Sequence, residues 1–350
     1  MVDRVMRVTC LISAVTLAAC GSAPTEGQSQ AGGEVVQING AGATFPYPIY
    51  SRWFSEYNRQ HPNVQINYQS IGSGGGIRQL TNQTVFFGAT DGPMTDAQLQ
   101  AAPGPVLHFP TVLGAVVPVY NLPGVGRDLR FDGPVLADIY LGRITKWNDP
   151  AVARLNPGAK LPATDIAVVH RSDGSGTTFI FVDYLSKVSP AFKNTVGVNT
   201  SVKWPRGVGG KGNEGVAGLV SQMPGAIGYV ELIYALQTAM TFGSVENAAG
   251  EFVVASPESV TQAAASAPIP DDFRVSITNA AGAGAYPISS FTWLLLYQNP
   301  TDTSRARVMA DFVKWAITDG QKFASDIGYA PLPQNVVRQE LAALETIGVP

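Results

Sequence analysis

Cysteine is almost absent from this 350-residue sequence, which has only Cys10 and Cys20, both near its start. A domain formed after Cys20 therefore has no disulfide and no cysteine-based metal site. Histidine is also scarce, with three residues, and no cluster of histidines and carboxylates has the spacing of a metal site. The sequence predicts neither a metal site nor a cofactor.

Charged residues make up only 14% of the chain, and 23 basic against 26 acidic residues give a net charge of −3. There is no basic stripe of the kind that binds nucleic acid, so nucleic acid is not an expected partner. An anion site in this chain would have to rely on local dipoles and hydrogen-bond donors, because the molecule has no overall positive field.

The N-terminus has the features of a bacterial lipoprotein signal. Arg4 and Arg7 precede the apolar run Val8–Ala19, which is too short to span a membrane as a stable helix. The run ends in Leu-Ala-Ala-Cys-Gly at residues 17–21, which looks like a lipobox. An ordinary secretory signal with a chance cysteine is the alternative.

The expected processing removes residues 1–19 as a signal peptide and attaches a diacylglycerol to the thiol of Cys20. Two acyl chains, such as palmitate, are enough for stable membrane anchoring. Residues 20–33 would then be the lipidated cysteine and a flexible tether, since they are rich in Gly, Ser, Gln and Ala. We expect the folded part to lie outside the cytoplasm, in the periplasm or at the cell surface, anchored to the membrane by this lipid.

Asp165–Phe179 is the first candidate for a ligand site. Its apolar run Ile166–Val169 suits a buried strand, and Gly-Ser-Gly-Thr-Thr at residues 174–178 suits a turn into a helix. Free N–H groups and the helix dipole at such a junction favour the binding of an anion. Arg171 at the strand end adds the N–H donors of its guanidinium group. An ordinary N-cap of the helix is the alternative interpretation.

Three earlier junctions repeat the pattern of strand and glycine-containing turn, and they carry Thr44, Ser73 and Asp91. In open α/β sheets, ligands bind beyond the carboxyl ends of the strands, where such turns gather. Four junctions together therefore favour a binding cleft. A later glycine-rich run, Gly207–Gly215, suits either another anion site or a tight loop, and we favour the loop.

Two apolar segments, Val106–Tyr120 and Phe291–Tyr297, are predicted to be strands that cross between two domains. Lobe 1 would then be discontinuous and consist of residues 34–113 and 290–350. Lobe 2 would be the insert of residues 114–289.

Eight motifs occur in an order that resembles one known family. They are G-A-G-A-T-F-P, Y-Q-S-I-G-S-G-G-G, F-G-A-T-D-G-P, F-P-T-V-L-G, I-Y-L-G-R-I-T-K-W, R-S-D-G-S-G-T-T-F, G-G-K-G-N-E-G-V and P-G-A-I-G-Y-V-E. From about Ile38 to about Ala330 the sequence is similar to the phosphate-binding protein of the bacterial high-affinity phosphate ABC importer.

The resemblance implies an α/β fold like periplasmic binding proteins of type II, with two α/β lobes that are joined by a two-strand hinge and close on one phosphate. It implies a monomeric receptor that does no chemistry. Its partners would be inorganic phosphate and the membrane permease and ATPase subunits of the importer.

The resemblance also implies a role for each of eight residues. Thr44 and Phe45 would bind phosphate through backbone N–H groups, with the Thr44 hydroxyl assisting, and Ser73 would donate a hydroxyl hydrogen bond. Asp91 would accept a proton from the phosphate. Arg171 would be the cationic side chain, and Ser175, Gly176 and Thr177 would donate from the opposite lobe.

Asp91 is expected to discriminate between phosphate and sulfate. At neutral pH phosphate still carries a hydrogen that a carboxylate can accept, whereas sulfate carries none, and a site built for a hydrogen bond rejects the analogue that lacks it. A local turn with Gly92 and Pro93 is the alternative role of Asp91. A surface salt bridge with Asp173 is the alternative role of Arg171.

Three other functions compete with a phosphate receptor: a receptor for another oxyanion such as sulfate or molybdate, a secreted phosphate-ester hydrolase using Ser73 or Ser175, and a surface adhesin. Asp91 argues against the first. A hydrolase would need a base, and His170 should point away from Arg171 because the two are consecutive in a strand. Neither His61 nor His108 is placed as a base either.

Overall fold

The computed structural model describes residues 35–126, 129–265 and 267–348. The predicted signal peptide, the lipid attachment site at Cys20 and the tether lie outside these residues. Within the described part of the chain, none of the helices combines the length and the apolar character needed to cross a membrane.

The described residues form strands and helices throughout. The strands are β1 (Val36–Gly42), β2 (Val64–Ser70), β3 (Phe87–Thr90), β4 (Val106–Tyr120), β5 (Arg130–Phe131), β6 (Ala167–Arg171), β7 (Val208–Gly210), β8 (Ala226–Glu231), β9 (Thr241–Phe242), β10 (Ser244–Glu246), β11 (Phe252–Val253) and β12 (Ser289–Tyr297). The helices are α1 (Tyr47–Gln60), α2 (Ser73–Thr81), α3 (Asp96–Ala101), α4 (Gly133–Leu141), α5 (Pro150–Leu155), α6 (Gly176–Val188), α7 (Pro190–Thr195), α8 (Gly212–Gln222), α9 (Leu232–Gln237), α10 (Pro257–Ala265), α11 (Thr303–Ile317) and α12 (Gln334–Leu344), with short 3-10 helices at Asp319–Phe323 and Ser325–Ile327.

Nine strands of the described chain form one mixed sheet in the order β2-β1-β3-β12-β4-β8-β6-β7, with β9 paired to β4. Strands β1, β2 and β3 are parallel, so their carboxyl ends meet at one edge. Strands β6, β7 and β8 are also parallel to one another. We call β1–β3 and β12 with their helices the first half of the sheet, and β6–β8 with theirs the second half.

The long strand β4 connects the two halves. Up to Ala115 it pairs with β12, and from Val116 onward it pairs with β8. The chain returns beside the same point, because the N–H of Val116 donates to the carbonyl of Ile288, just before β12. The α/β fold class predicted from the sequence is confirmed, and both predicted crossing strands are central strands of the sheet. The lobe boundaries stay a prediction.

Helix α1 shows how the sequence builds a layer against the sheet. Ile49, Tyr50, Trp53 and Tyr57 recur at helical spacing, and all four are buried. The indole N–H of Trp53 donates to the carbonyl of Gly320 at 2.8 Å, which ties α1 to the C-terminal part of the chain.

The loop predicted for Gly207–Gly215 is wrong. The segment holds strand β7 and the first turns of helix α8, which begins at Gly212. A side chain at Gly210 would lie 2.6 Å from the carbonyl carbon of Gly215. These glycines therefore let a strand pack tightly against the helix that follows it, rather than form a flexible loop.

Candidate functional site

The strand ends bring the predicted site residues together at the boundary between the two halves. Thr44 and Phe45 follow β1, Asp91 follows β3, Ser73 opens α2, Arg171 ends β6, and Gly176 and Thr177 open α6 after Ser175. All eight are buried; among the polar ones, exposure runs from 0% for Ser73, Ser175 and Thr177 to 4% for Arg171. This is the edge where ligands bind in open α/β sheets.

The turn after β1 presents backbone donors. No hydrogen bond within the described residues uses the N–H of Thr44 or Phe45. Their carbonyls are fixed, since the hydroxyl of Tyr234 donates to Thr44 O at 2.5 Å and that of Tyr329 donates to Phe45 O at 2.6 Å. These bonds hold the turn so that two N–H groups remain available for an anion.

Ser73 and Asp91 form the next part of the site. The backbone N–H of Asp91 donates to Ser73 Oγ at 3.1 Å, and Ser73 Oγ lies 3.4 Å from Asp91 Oδ2. The Thr292 hydroxyl donates to Asp91 Oδ1 at 2.8 Å. The local turn bond is made by Thr90, whose Oγ1 accepts from the N–H of Gly92, so the carboxylate of Asp91 takes no part in it.

Burial raises the pKa of Asp91 to about 7, because removal from water disfavours the charged carboxylate. Hydrogen bonds from Thr292 and Ser73 and the positive charge of Arg171 act in the opposite direction and offset only part of this effect. Near neutral pH the carboxyl group can therefore either hold a proton or accept one.

Arg171 is clamped by Asp173. Its Nε and Nη2 donate to Asp173 Oδ1 and Oδ2 at 2.8 and 2.5 Å, and its side chain is 1% exposed. Burial opposes ionisation of Asp173, but the bond to Arg171 and its charge hold the pKa of Asp173 below its usual value. The pair exists as the sequence suggested, yet Arg171 is buried and Asp173 is only 12% exposed, so the pair is not on the surface. The remaining Nη1 points to Thr177 Oγ1 at 3.3 Å.

The start of α6 supplies further donors. Ser175 is the N-cap, since its Oγ accepts from the N–H of Thr178 at 3.0 Å. Within the described chain, the N–H groups of Gly176 and Thr177 have no hydrogen-bond partner. A helix N-terminus of this kind attracts an anion through its free N–H groups and its dipole.

The two halves touch each other at the site. The N–H of Gly74 donates to the carbonyl of Gly174 at 2.9 Å. A side chain at Gly176 would lie 2.5 Å from both Asp91 Oδ2 and Ser73 Oγ, so the start of α6 lies directly against the first half. The structure therefore has a closed arrangement.

Two residues of the site were missed by the sequence analysis. Asn213, at the start of α8, donates through Nδ2 to Thr44 Oγ1 at 2.7 Å and to Thr177 Oγ1 at 3.1 Å. Thr292 holds Asp91 from β12. Thr292 could have been found as a polar residue within an apolar strand. Asn213 could have been found in the motif G-G-K-G-N-E-G-V, whose segment was predicted to be a loop.

The histidines are engaged elsewhere. The ring of His170 stacks on Trp204 at 5.3 Å, and His108 Nε2 accepts from the N–H of Met94 at 3.1 Å. Burial lowers the pKa of His108 to about 4. In the described part of the chain, no group of three or more His, Cys, Asp or Glu could hold a metal ion.

Residues 22–320 match the model of a PBP superfamily domain. The phosphate-binding protein PstS of Xylella fastidiosa (strain 9a5c) is 48% identical over 348 residues, which is 94% of each chain. PstS of Pasteurella multocida (strain Pm70) is also 48% identical, over 88% of this chain and 90% of that protein. The chain belongs to the PstS family of phosphate-binding proteins. The family resemblance predicted from the sequence motifs is confirmed.

A solved structure agrees with the fold. A high affinity periplasmic phosphate-binding protein (PfluDING) bound with phosphate superimposes with a TM-score of 0.71 over 90% of this chain and all of that chain. At 23% identity it supports the architecture alone. PstS family members are substrate-binding receptors; the role of each predicted residue toward a ligand stays a prediction.

Proposed function

We propose that this chain captures inorganic phosphate between the two halves of its sheet and delivers it to the membrane permease and ATPase subunits of a phosphate ABC importer. The ligand contacts in this proposal come from Thr44, Phe45, Ser73, Asp91, Arg171, Ser175, Gly176 and Thr177. The 48% identity to phosphate-binding proteins along nearly the whole chain supports the ligand class.

The observation that carries the proposal is a buried acid within a cage of anion donors. Free N–H groups, hydroxyls and Arg171 favour a negative ligand, whereas an ionised Asp91 would repel one that has no proton. A phosphate that keeps a hydrogen satisfies both, because it accepts from the donors and donates to Asp91. Sulfate cannot donate, so an ionised Asp91 would face it with no hydrogen between the two negative charges.

Competition calorimetry with phosphate and sulfate tests this directly. At a pH above 7 we expect the wild type to bind phosphate and to reject sulfate. Asp91→Asn should keep phosphate binding and narrow the difference between the two anions, because an amide can donate to sulfate. Unchanged discrimination in Asp91→Asn would contradict the assigned role of Asp91.

Arg171→Ala tests the cationic contact. A hydrogen bond to a charged group contributes about 1.5–3 kcal/mol, so phosphate affinity should fall by at least that amount. The melting temperature of the ligand-free variant separates lost binding from lost folding. A loss below about 0.5 kcal/mol would show that the guanidinium does not touch the ligand.

The proposal includes a receptor that does no chemistry. Incubation with p-nitrophenyl phosphate should release no p-nitrophenol while phosphate binds tightly. Turnover that is lost in Ser73→Ala or Ser175→Ala would favour a hydrolase instead.

We also propose that the protein works outside the cytoplasm on a lipid anchor at Cys20. Mass spectrometry of the membrane-bound protein should find a diacylated cysteine at its N-terminus, and Cys20→Ala should abolish the modification. Recovery of unmodified Cys20 within a mature secreted chain would favour the ordinary secretory signal.

A further inference from the structure

Asn213 is a buried amide that joins both sides of the candidate site, with 0% exposure. Its Oδ1 accepts from the backbone N–H of Glu231 at 2.9 Å, which fixes the orientation of the amide. Its Nδ2 must therefore face the site, where it donates to Thr44 Oγ1 and Thr177 Oγ1 at 2.7 and 3.1 Å.

The acceptor capacity of both hydroxyls is used up. A hydroxyl oxygen has two lone pairs and one hydrogen. Thr44 Oγ1 accepts from Nδ2 and, at 3.3 Å, from the backbone N–H of Asn213. Thr177 Oγ1 accepts from Asn213 Nδ2 and, at 3.3 Å, from Arg171 Nη1. Within the described residues neither hydroxyl hydrogen has an acceptor.

We propose that Asn213 is a positioning residue that makes Thr44 and Thr177 obligatory hydrogen-bond donors toward the bound anion. This inference rests on the proposed phosphate site. By filling lone pairs that would otherwise accept a hydrogen from the ligand, the amide leaves Asp91 as the acceptor for the hydrogen of phosphate. Asn213 thus supports selectivity without touching the ligand.

The location of the three residues decides which pair to test. Thr44 belongs to the first half, so its bond to Asn213 also contributes to contact between the halves. Thr177 and Asn213 both belong to the second half, on α6 and α8. Coupling between these two residues therefore reports the orientation of the hydroxyl and not the closure of the cleft.

The test is a double-mutant cycle in phosphate affinity, measured by calorimetry on the full-length protein. We expect Asn213→Ala to weaken binding about ten-fold or more. In a Thr177→Val background the same substitution should have an effect at least about three times smaller, because the hydroxyl it orients is gone. With both Thr44→Val and Thr177→Val present, its effect should fall below about two-fold.

Asn213→Leu, which keeps the branched shape of the side chain with bulkier ends, repeats the cycle if the melting temperature shows that Asn213→Ala is poorly folded. Asn156→Ala is the matched control. Asn156 is also buried, at 7% exposure, but its amide donates to the carbonyls of Arg130 and Val152 and not to the site. This variant should lose stability and keep phosphate affinity.

Two results would overturn the inference while phosphate still binds to the wild type. One is unchanged affinity in Asn213→Ala, and the other is an equal loss in the presence and absence of Thr177→Val, as a purely structural residue would give. If the wild type itself did not bind phosphate, the proposed function would fall, so the two failures are distinguishable.

Discussion

Asp91 is in an environment that favours its neutral form, although an arginine lies nearby. The effect of burial on the pKa of Asp91 outweighs that of the charge of Arg171, in part because both carboxylate oxygens of Asp173 already bind that guanidinium. In the proposed site, the proton that distinguishes phosphate from sulfate can then lie on either the ligand or the carboxylate of one hydrogen bond. The discrimination should therefore depend on the charge of Asp91 and weaken well below pH 7, where a neutral Asp91 can donate to sulfate.

The stability of the ligand-free protein should depend on the ionisation of Asp91. The pKa of Asp91 is about 7 when folded against 3.8 ordinarily. The folded state therefore holds the proton more tightly, and the stability from this group is lost as pH rises from about 4 through 7. The difference corresponds to on the order of 4 kcal/mol at 1.36 kcal/mol per unit. Asp91→Asn should remove this loss, as urea unfolding at several pH values in phosphate-free buffer would show.

Asp165→Asn provides the control for that series. Asp165 is exposed, and the hydrogen bond and charge of Lys146 hold its pKa below the usual value. Its contribution is therefore present above the ordinary pKa and lost in acid, which is the opposite sign. A stability difference between Asp91→Asn and the wild type that does not grow between about pH 5 and pH 8 would contradict the burial of an ionisable Asp91.

For individual residues, the sequence predicted which ones gather at the candidate site, because local turn motifs carry Thr44, Ser73, Asp91 and Arg171. It could not predict their supports. Thr292 lies 201 positions from Asp91, and a pairing over that distance leaves no mark in local periodicity.

Among the elements, α6 brings its N-terminus to the candidate site from the second half. Its first residue, Gly176, has no room for a side chain, because a Cβ would lie 2.5 Å from Asp91 and Ser73 across the boundary between the halves. Gly176→Ala should therefore weaken phosphate binding at least about ten-fold while leaving ligand-free stability nearly unchanged, since alanine is a better helix former than glycine. Calorimetry and thermal unfolding of the same sample measure the two effects.

Gly218→Ala is the matched control, because Gly218 lies within α8 and a side chain there would meet nothing within 4 Å. It should stabilise the protein by about 0.5–1 kcal/mol and keep phosphate affinity. Wild-type affinity in Gly176→Ala would mean that the ligand is bound without the close approach of α6 to Asp91.

Element prediction succeeded where apolar periodicity is strong and failed where glycine dominates. The strand, turn and helix predicted in Asp165–Phe179 are β6 and α6. The segment Gly207–Gly215 has the composition of a loop, yet β7 and α8 form there because packing against β6 and β8 overrides the low helix propensity of glycine. Local sequence does not contain that tertiary contribution.

For the whole molecule, the sequence predicted β4, the strand that connects the halves, but not the contacts that close them. Those contacts join distant residues: Arg274 donates to the carbonyl of Met94 and to Asp96 at 3.0 and 2.7 Å. The Arg274–Asp96 ion pair is partly exposed and therefore weak. The bond of Asn213 to Thr44 is buried, but like that of Gly74 to Gly174 it is a single polar contact. An arrangement held this way should open when phosphate is absent.

The last prediction tests that opening. In the proposed site phosphate contacts both halves, so at about a hundred times its Kd it should stabilise the folded protein by about 2.7 kcal/mol, which a rise in melting temperature would show. Small-angle scattering should show a smaller radius of gyration in phosphate than in phosphate-free buffer, because the halves approach each other. Sulfate at the same concentration above pH 7 should produce neither change, and phosphate should raise the melting temperature of Gly176→Ala less than that of the wild type. Superimposable scattering curves in a sample that phosphate still stabilises would mean that the ligand is held without movement of the halves.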